Sequence, residues 1–293
     1  MRTLKPPAGF VLESSSGGAL LRRESLALPG PEALWQALRD APVHAVSGRG
    51  ATRRLDVGTL ALAARPYRHG GLLGPVRGSS GMGPSRALRE IAASDHARRQ
   101  GVVTPEIVGV LFARGLRLPV LLTRLVAPAV DLLDMADAPS RDRRAAIAAM
   151  AGSVARLFAA GIRHADLSLG NFLVANGPQP VVHVLDFDKA RVVPCLDRKD
   201  KVAMVVRLAR SFAKQRARGW TLRPRDGWRF LVELGRRDGD LDPRALRDTL
   251  ARSFRGHRLL WRASAPQTVR THRSDRTGPA GDKPRLAGRR PPR

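Results

Sequence analysis

Cysteine is almost absent: Cys195 is the only one in 293 residues. One thiol cannot form an intrachain disulfide or a cysteine-based zinc site, and a cytosolic compartment fits. Aromatic residues are scarce at 4%, so Ala, Leu and Val must fill most of a core drawn from the 43% of residues that are hydrophobic. No apolar run approaches the roughly 18 residues of a spanning helix. The opening MRTLKPPAGFVLESSSGG lacks the continuous apolar stretch of a secretory leader, so none is expected. Acidic residues number 25 against 52 Lys and Arg, a formal net charge of +27. That excess suits a polyanion, whether nucleic acid, an anionic membrane face or a phosphorylated ligand. The heavy use of Arg, Ala and Gly also matches a nucleotide-composition bias of the source. Lysine is missing altogether between Lys5 and Lys189.

The length suits two modest domains or one domain in two lobes. Residues 1–42 read as an arm, with a short strand near Phe10–Glu13 and a short helix over Pro31–Asp40 whose first turn carries the Pro. VHAVS (43–47) and LDVGTLALAARPY (55–67) read as two strands joined through GRGATRR as a hairpin. HGGLLGPVRGSSGMGP (69–84) is a glycine-rich loop, a class that is usually functional or mobile. SRALREIAASDHARRQG predicts a helix capped by Ser85 and ended by Gly101. IVGVLFA and LPVLLTRLV predict a strand pair around RGLR. SRDRRAAIAAMAGSVARLFAAG is the clearest helix, with Ser140 as cap, Gly161 as stop, and Ile147, Met150, Val154, Leu157 and Phe158 on one face. Beyond Arg191, DRKDKVAMVVRLARSFAKQRARG and PRALRDTLARSFRGHRLLWR predict basic amphipathic helices. From Ala263 onward large apolar residues nearly vanish, and a disordered basic tail is expected. The fold class is therefore α+β: a small β-rich front lobe with one main helix, a mainly helical back lobe, and a cleft between them. The expected boundaries are 1–42, 43–126, 127–262 and 263–293.

HADLSLGNFLV (164–174) is followed by VLDFDKAR (184–191), acids and an amide set beside apolar runs. Asp166 and Asn171 lie five residues apart, and Asp186 follows fifteen later, after PVVHVL. Singly, each is most simply a turn former or a cap. Strands with short turns would gather all three in one cleft. A carboxylate that accepts a hydroxyl proton, with two oxygen ligands for Mg²⁺, is what phosphoryl transfer requires.

The spacing H-x-D-L-x-x-x-N followed by D-F resembles the protein-kinase signature. The variant HADL with DFD resembles the lipopolysaccharide kinases. RPYRHGGLLG (65–74) is similar to the R-x-Y-R-R-G-G-L stretch of their branch that phosphorylates 3-deoxy-D-manno-octulosonic acid (Kdo). SRALREIAASDHARRQGVVTPEIVG and LLTRLV are similar to that family's helix with connector and to its lobe-joining segment. The resemblance spans about residues 43–215.

That resemblance implies a protein-kinase-like bilobal fold using ATP and Mg²⁺. Asp166 would be the general base, Asn171 and Asp186 the metal ligands, and His164 a buttress of the catalytic loop. Gly48 and Gly50, in GRGAT, would lie over the ATP phosphates. Arg65 would stand where kinases usually place a strand Lys, with Glu90 as its partner. Ser168 stands where the family commonly has Asn. Asp188 replaces the Gly of D-F-G, either as a metal ligand or as a turn cap. Lys189 and Arg191 are either solvated or facing an anionic substrate. The implied acceptor is Kdo on lipid A, an anionic glycolipid, met by peripheral contact at the cytoplasmic face of the inner membrane. Arg68, Arg77, Lys199, Lys201, Arg207 and Arg210 would form the basic face toward it. No nucleic acid partner is expected, and the oligomeric state is left open. The alternatives are a kinase of the same superfamily with a heptose, aminoglycoside or protein acceptor, or a non-catalytic pseudokinase that binds anionic surfaces. The missing Lys favours the pseudokinase; the joint presence of Asp166, Asn171 and Asp186 favours an enzyme.

Overall fold

The computed structural model describes residues 5–43, 52–67, 84–113, 119–175, 177–221 and 223–262. Gly48, Gly50, Arg68, Arg77, most of the glycine-rich loop and the basic tail lie outside the described residues. The front of the molecule is one antiparallel six-stranded sheet. Its strands are β1 (Phe10–Ser15), β2 (Gly18–Arg23), β3 (Arg53–Val57), β4 (Leu60–Pro66), β5 (Ile107–Ala113) and β6 (Val120–Arg124), in the order β1-β2-β5-β6-β4-β3. Helix α1 (Pro31–Asp40) covers one face and α2 (Pro84–Arg99) the other. Leu20, Leu62, Leu111 and Leu122 pack toward Leu34 and Leu38 of α1. Their neighbours Leu21, Val110 and Leu121, with Tyr67, pack toward Ala87 and Ile91 of α2. Burial on both faces explains why β5 and β6 read as continuous apolar runs rather than as alternating patterns.

Two expectations change here. The stretch 55–67 is not one strand: it folds on itself as β3 and β4, with Val57 paired to Leu60 and Gly58 in the left-handed region at φ +56°. A two-residue turn of this kind needs positive φ, which glycine supplies. The residues expected as an arm contribute β1 and β2, and β2 pairs with β5 from Gly18↔Ala113 to Arg22↔Gly109. Val43 touches the sheet through a single bridge to Arg53.

The back of the molecule packs around α3 (Ser140–Ala159), whose Met150, Val154, Leu157 and Phe158 are buried as the spacing predicts. Ser140 is its first residue and not its cap; Pro139 occupies the cap position with no side-chain bond. Ser85 likewise lies inside α2, which begins at Pro84. Three further helices follow: α4 (Arg198–Ala217), α5 (Pro224–Asp238) and α6 (Pro243–Arg262). The Arg143 guanidinium of α3 donates to Asp226 of α5 at 2.9 Å, and both side chains are buried.

Short strands follow in the back of the molecule: β7 (Ala129–Asp131), β8 (Ile162–His164), β9 (Phe172–Ala175), β10 (Val181–Val184) and β11 (Ala190–Val192). They form two small antiparallel sheets, β10-β9-β7 and β11-β8. Gly161 makes the second possible. Its φ is +65°, the Val193 N–H donates to its carbonyl at 2.8 Å, and a Cβ there would meet the Val193 carbonyl oxygen at 2.1 Å. Gly161→Ala is expected to destabilise by about 2–4 kcal/mol through left-handed strain plus a backbone clash. Thermal unfolding should show a midpoint fall of roughly 5–15 °C; an unchanged midpoint would contradict the close approach.

Candidate active site

The β9–β10 hairpin brings the motif residues together. Phe172 pairs with Val184, so Asn171 and Leu185 face each other just beyond the paired ends. The Leu185 N–H donates to the Asn171 carbonyl at 2.9 Å, and Asp186 is the next residue. The Asn171 Nδ2 donates to the Asp166 carbonyl at 2.8 Å. Asp166, Asn171 and Asp186 therefore form one contiguous set, as the spacing predicts. The loop is anchored from below, where the Leu169 N–H donates to Ser211 Oγ of α4 at 3.1 Å.

His164 ties the two segments. Its Nδ1 accepts from the Asp166 N–H at 3.3 Å, so Nε2 carries the proton and donates to the Leu185 carbonyl at 3.2 Å. Burial holds the imidazole pKa below its usual value, keeping it neutral, as this bonding pattern requires. Its ring also lies 5.5 Å from the Phe187 ring.

Asp186 stands in the left-handed region at φ 64°, ψ 68°. This costs a non-glycine residue energy and turns the side chain out of the strand direction. Its Oδ1 is buried and accepts no hydrogen bond. The Arg65 Nη1 lies 3.3 Å from it, an ion-pair contact without hydrogen-bond geometry. An anionic oxygen buried without a donor suits a metal cation. Asn171 adds a second hard ligand, because Nδ2 is committed to Asp166 and Oδ1 is left as an acceptor. The residues present fit a magnesium ion held by one carboxylate and one amide, with phosphate and water completing the shell.

Arg65 and Glu90 are brought together across the sheet–helix boundary. Arg65 Nη2 donates to Glu90 Oε1 at 2.7 Å, and the Tyr67 hydroxyl donates to Glu90 Oε2 at 2.7 Å. Arg65 and Tyr67 are two apart at the end of β4 and so point the same way. Tyr67 was missed from sequence; its place in R-x-Y, two residues after Arg65, is the signal that points to it. Burial and the neighbouring Glu90 push the Tyr67 phenol up, so it stays protonated.

Burial pushes the Glu90 carboxyl up to about 7; the Arg65 guanidinium pulls the other way, and Asp186 adds to the rise. A raised acid favours folding below its unfolded value near 4.5 and loses that advantage as pH climbs through about 7. Glu90→Gln removes this dependence. The stability of Glu90→Gln relative to wild type should therefore improve between pH 5 and pH 8, by at most roughly 3 kcal/mol. Paired thermal melts across that range read the trend, and a flat difference would contradict it.

Asp188 takes neither role expected of it. Arg86 of α2 grips it with two bonds, Nε to Oδ1 and Nη2 to Oδ2, each at 2.5 Å. The Arg86 guanidinium also lies over the Tyr67 ring, 5.0 Å from its centroid. A bidentate fork of this kind is strong and directional. It ties the main front-lobe helix to the segment that carries Asp186. Lys189 is not simply solvated: its Nζ lies 3.1 Å from Asp166 Oδ2. Lys201 leaves the expected basic face altogether. It is buried, with Nζ 2.9 Å from Asp238 and 2.7 Å from Asp240. Lys199, Arg207 and Arg210 remain exposed on α4.

The model of the lipopolysaccharide kinase (Kdo/WaaP) family matches residues 33–232. The chain belongs to that family. The 3-deoxy-D-manno-octulosonic acid kinase of Photobacterium damsela subsp. piscicida is 27% identical over 218 residues, covering 70% of this chain and 86% of its own. The 3-deoxy-D-manno-octulosonic acid kinase of Vibrio vulnificus strain YJ016 is 30% identical over 199 residues, covering 66% of this chain and 81% of its own. A solved structure described as WaaP in complex with acyl carrier protein shares the fold. Its TM-score is 0.50 at 21% identity, covering 80% of this chain and 97% of that one. The bilobal kinase-like α+β architecture expected of a lipopolysaccharide kinase is thus present, with α2 of the front lobe linked to the segment that carries Asp186 through Arg86 and Asp188.

Proposed function

We propose that this chain transfers the γ-phosphate of ATP to a hydroxyl of Kdo on lipid A, in building the inner core of lipopolysaccharide. The observation that carries the reading is the joined set of Asp166, Asn171 and Asp186, with a buried Asp186 oxygen left without a donor. The Kdo kinase relatives, which align over most of their own length, support the acceptor. Asp166 takes the acceptor's hydroxyl proton as general base. Asn171 and Asp186 hold Mg²⁺, which when bound neutralises charge on the phosphates of ATP. Arg65, braced by Glu90, reaches the nucleotide from the front lobe and does the work usually given to a strand Lys. Gly48 and Gly50 cover the phosphates in this reading, and the division at 43–126 and 127–262 separates the nucleotide-binding and catalytic lobes.

Among the described residues no helix is long and apolar enough to cross a membrane. The acceptor is met from the cytoplasmic face of the inner membrane by peripheral contact, with Lys199, Arg207 and Arg210 facing anionic headgroups. The test is transfer of labelled phosphate from ATP to Kdo-bearing lipid A in anionic vesicles, beside heptose, aminoglycoside and protein acceptors. Labelling of the Kdo acceptor alone is expected; preferential labelling of another acceptor would replace the reading.

A further inference from the structure

We propose that Lys189 is a catalytic residue, whose ammonium contacts the phosphoryl group in transit between ATP and the acceptor oxygen. The inference rests on the reading of Asp166 as the base, and it names a cation for the reaction that the motif residues do not supply. Lys189 closes the 3₁₀ turn Phe187–Lys189. Its backbone is fixed on both sides: Phe187 is buried, and Ala190 is buried and paired with His164 across β11 and β8. That pairing sets Lys189 beside the start of the catalytic loop, and its Nζ reaches Asp166 Oδ2 at 3.1 Å. The side chain itself is exposed, and so is half of Asp166.

Distance makes the case. A base must lie about 2.6–3.2 Å from the hydroxyl oxygen it serves. That oxygen must approach phosphorus to about 3–3.5 Å before reaction. A cation in contact with the same carboxylate can then reach the phosphoryl oxygens by a rotation of its own side chain. Lysine has three donors, so one can stay on Asp166 while another meets the phosphoryl group. Among the described residues, Arg65 is bound to Glu90 and faces Asp186 and the nucleotide rather than Asp166, and Arg86 is bound to Asp188.

In the step, the acceptor's hydroxyl proton passes to Asp166 and a bond forms from that oxygen to the γ-phosphorus. The bond from the γ-phosphorus to the bridging oxygen breaks, and its electron pair leaves with ADP. Lys189 keeps its proton throughout and stabilises charge on the equatorial oxygens, a role electrostatic preorganisation rewards strongly.

The test uses full-length Lys189→Met and Lys189→Arg beside Asp166→Ala. Lys189→Met should lower kcat roughly 10- to 100-fold with little change in the KM for ATP, because the loss falls on the transition state. Lys189→Arg should recover most of the rate, and neither variant should shift the thermal midpoint. Calorimetry supplies a readout apart from turnover. Wild type should bind ADP with Mg²⁺ and aluminium fluoride more tightly than ADP with Mg²⁺ alone; Lys189→Met should lose most of that gain and keep its ADP affinity. An unimpaired Lys189→Met, or equal losses for ADP and the mimic, would overturn the proposal and leave the contact an ordinary surface ion pair. If Asp166→Ala also keeps full rate, the reading of Asp166 fails; if only Asp166→Ala is inactive, the role of Lys189 fails alone.

Discussion

Asp166→Ala is expected to lower kcat about 10²–10⁴-fold, the usual loss for a general base. The fold should not notice. The loop contacts of Asp166 run through its backbone: its N–H donates to His164 and its carbonyl accepts from Asn171. Alanine keeps both. The side chain contributes one ion pair with Lys189, in which both partners are largely exposed, and such pairs add little stability. Steady-state kinetics and thermal melts on the same preparation read the two parts. A variant that turns over like wild type would remove Asp166 from the chemistry. A variant that unfolds several degrees earlier would recast the residue as structural.

Asp186→Asn should separate activity from stability even more sharply. Asparagine tolerates the left-handed backbone that Asp186 adopts, so the turn is preserved. The negative charge that would hold the metal is lost, and the rate should fall at least about 10²–10³-fold, with a higher Mg²⁺ requirement for what remains. The thermal midpoint should stay level or rise. Asp186 carries a buried oxygen without a hydrogen-bond donor and adds to the upward push on the Glu90 carboxyl, so removing its charge relieves that push and breaks no hydrogen bond to that oxygen. Arg65 keeps its bond to Glu90 when that charge is gone. Function held at the expense of stability is the expected pattern for a binding site. A marked loss of stability in Asp186→Asn would mean instead that the contact with Arg65 is structural.

The grouping of Asp166, Asn171 and Asp186 was legible because it is local. Asp166 and Asn171 share one loop, and β9 and β10 return the chain to place Asp186 beside them with little room for another register. Strand pairs with apolar faces, such as β5 and β6, announce themselves in the same way. Most of what escaped depends on long-range partners. Asp188 looked like a turn cap or a metal ligand because Arg86, 102 residues earlier, is invisible as its partner until α2 is placed. Lys201 looked like surface charge on a basic helix, yet Asp238 and Asp240 arrive from the end of α5 to bury it. The Ser- and Gly-rich segment near residue 16 looked like an arm because its composition is that of a turn. It is the turn of a hairpin whose second strand finds β5 nearly a hundred residues on. The break at Gly58 was hidden inside an apolar stretch that reads well as one strand until positive φ is required. Local spacing placed the motif residues; charge pairing needed the fold.

The proposed site puts Asp166, Asn171 and Asp186 around one magnesium–nucleotide centre facing Arg65. Crystals grown with Mn²⁺ and a non-hydrolysable ATP analogue test it directly through the manganese anomalous signal. The expected result is a manganese peak coordinated by Asp186 and Asn171, with the terminal phosphate presented toward Asp166. A nucleotide and metal bound elsewhere, or a peak that touches neither residue, would contradict it.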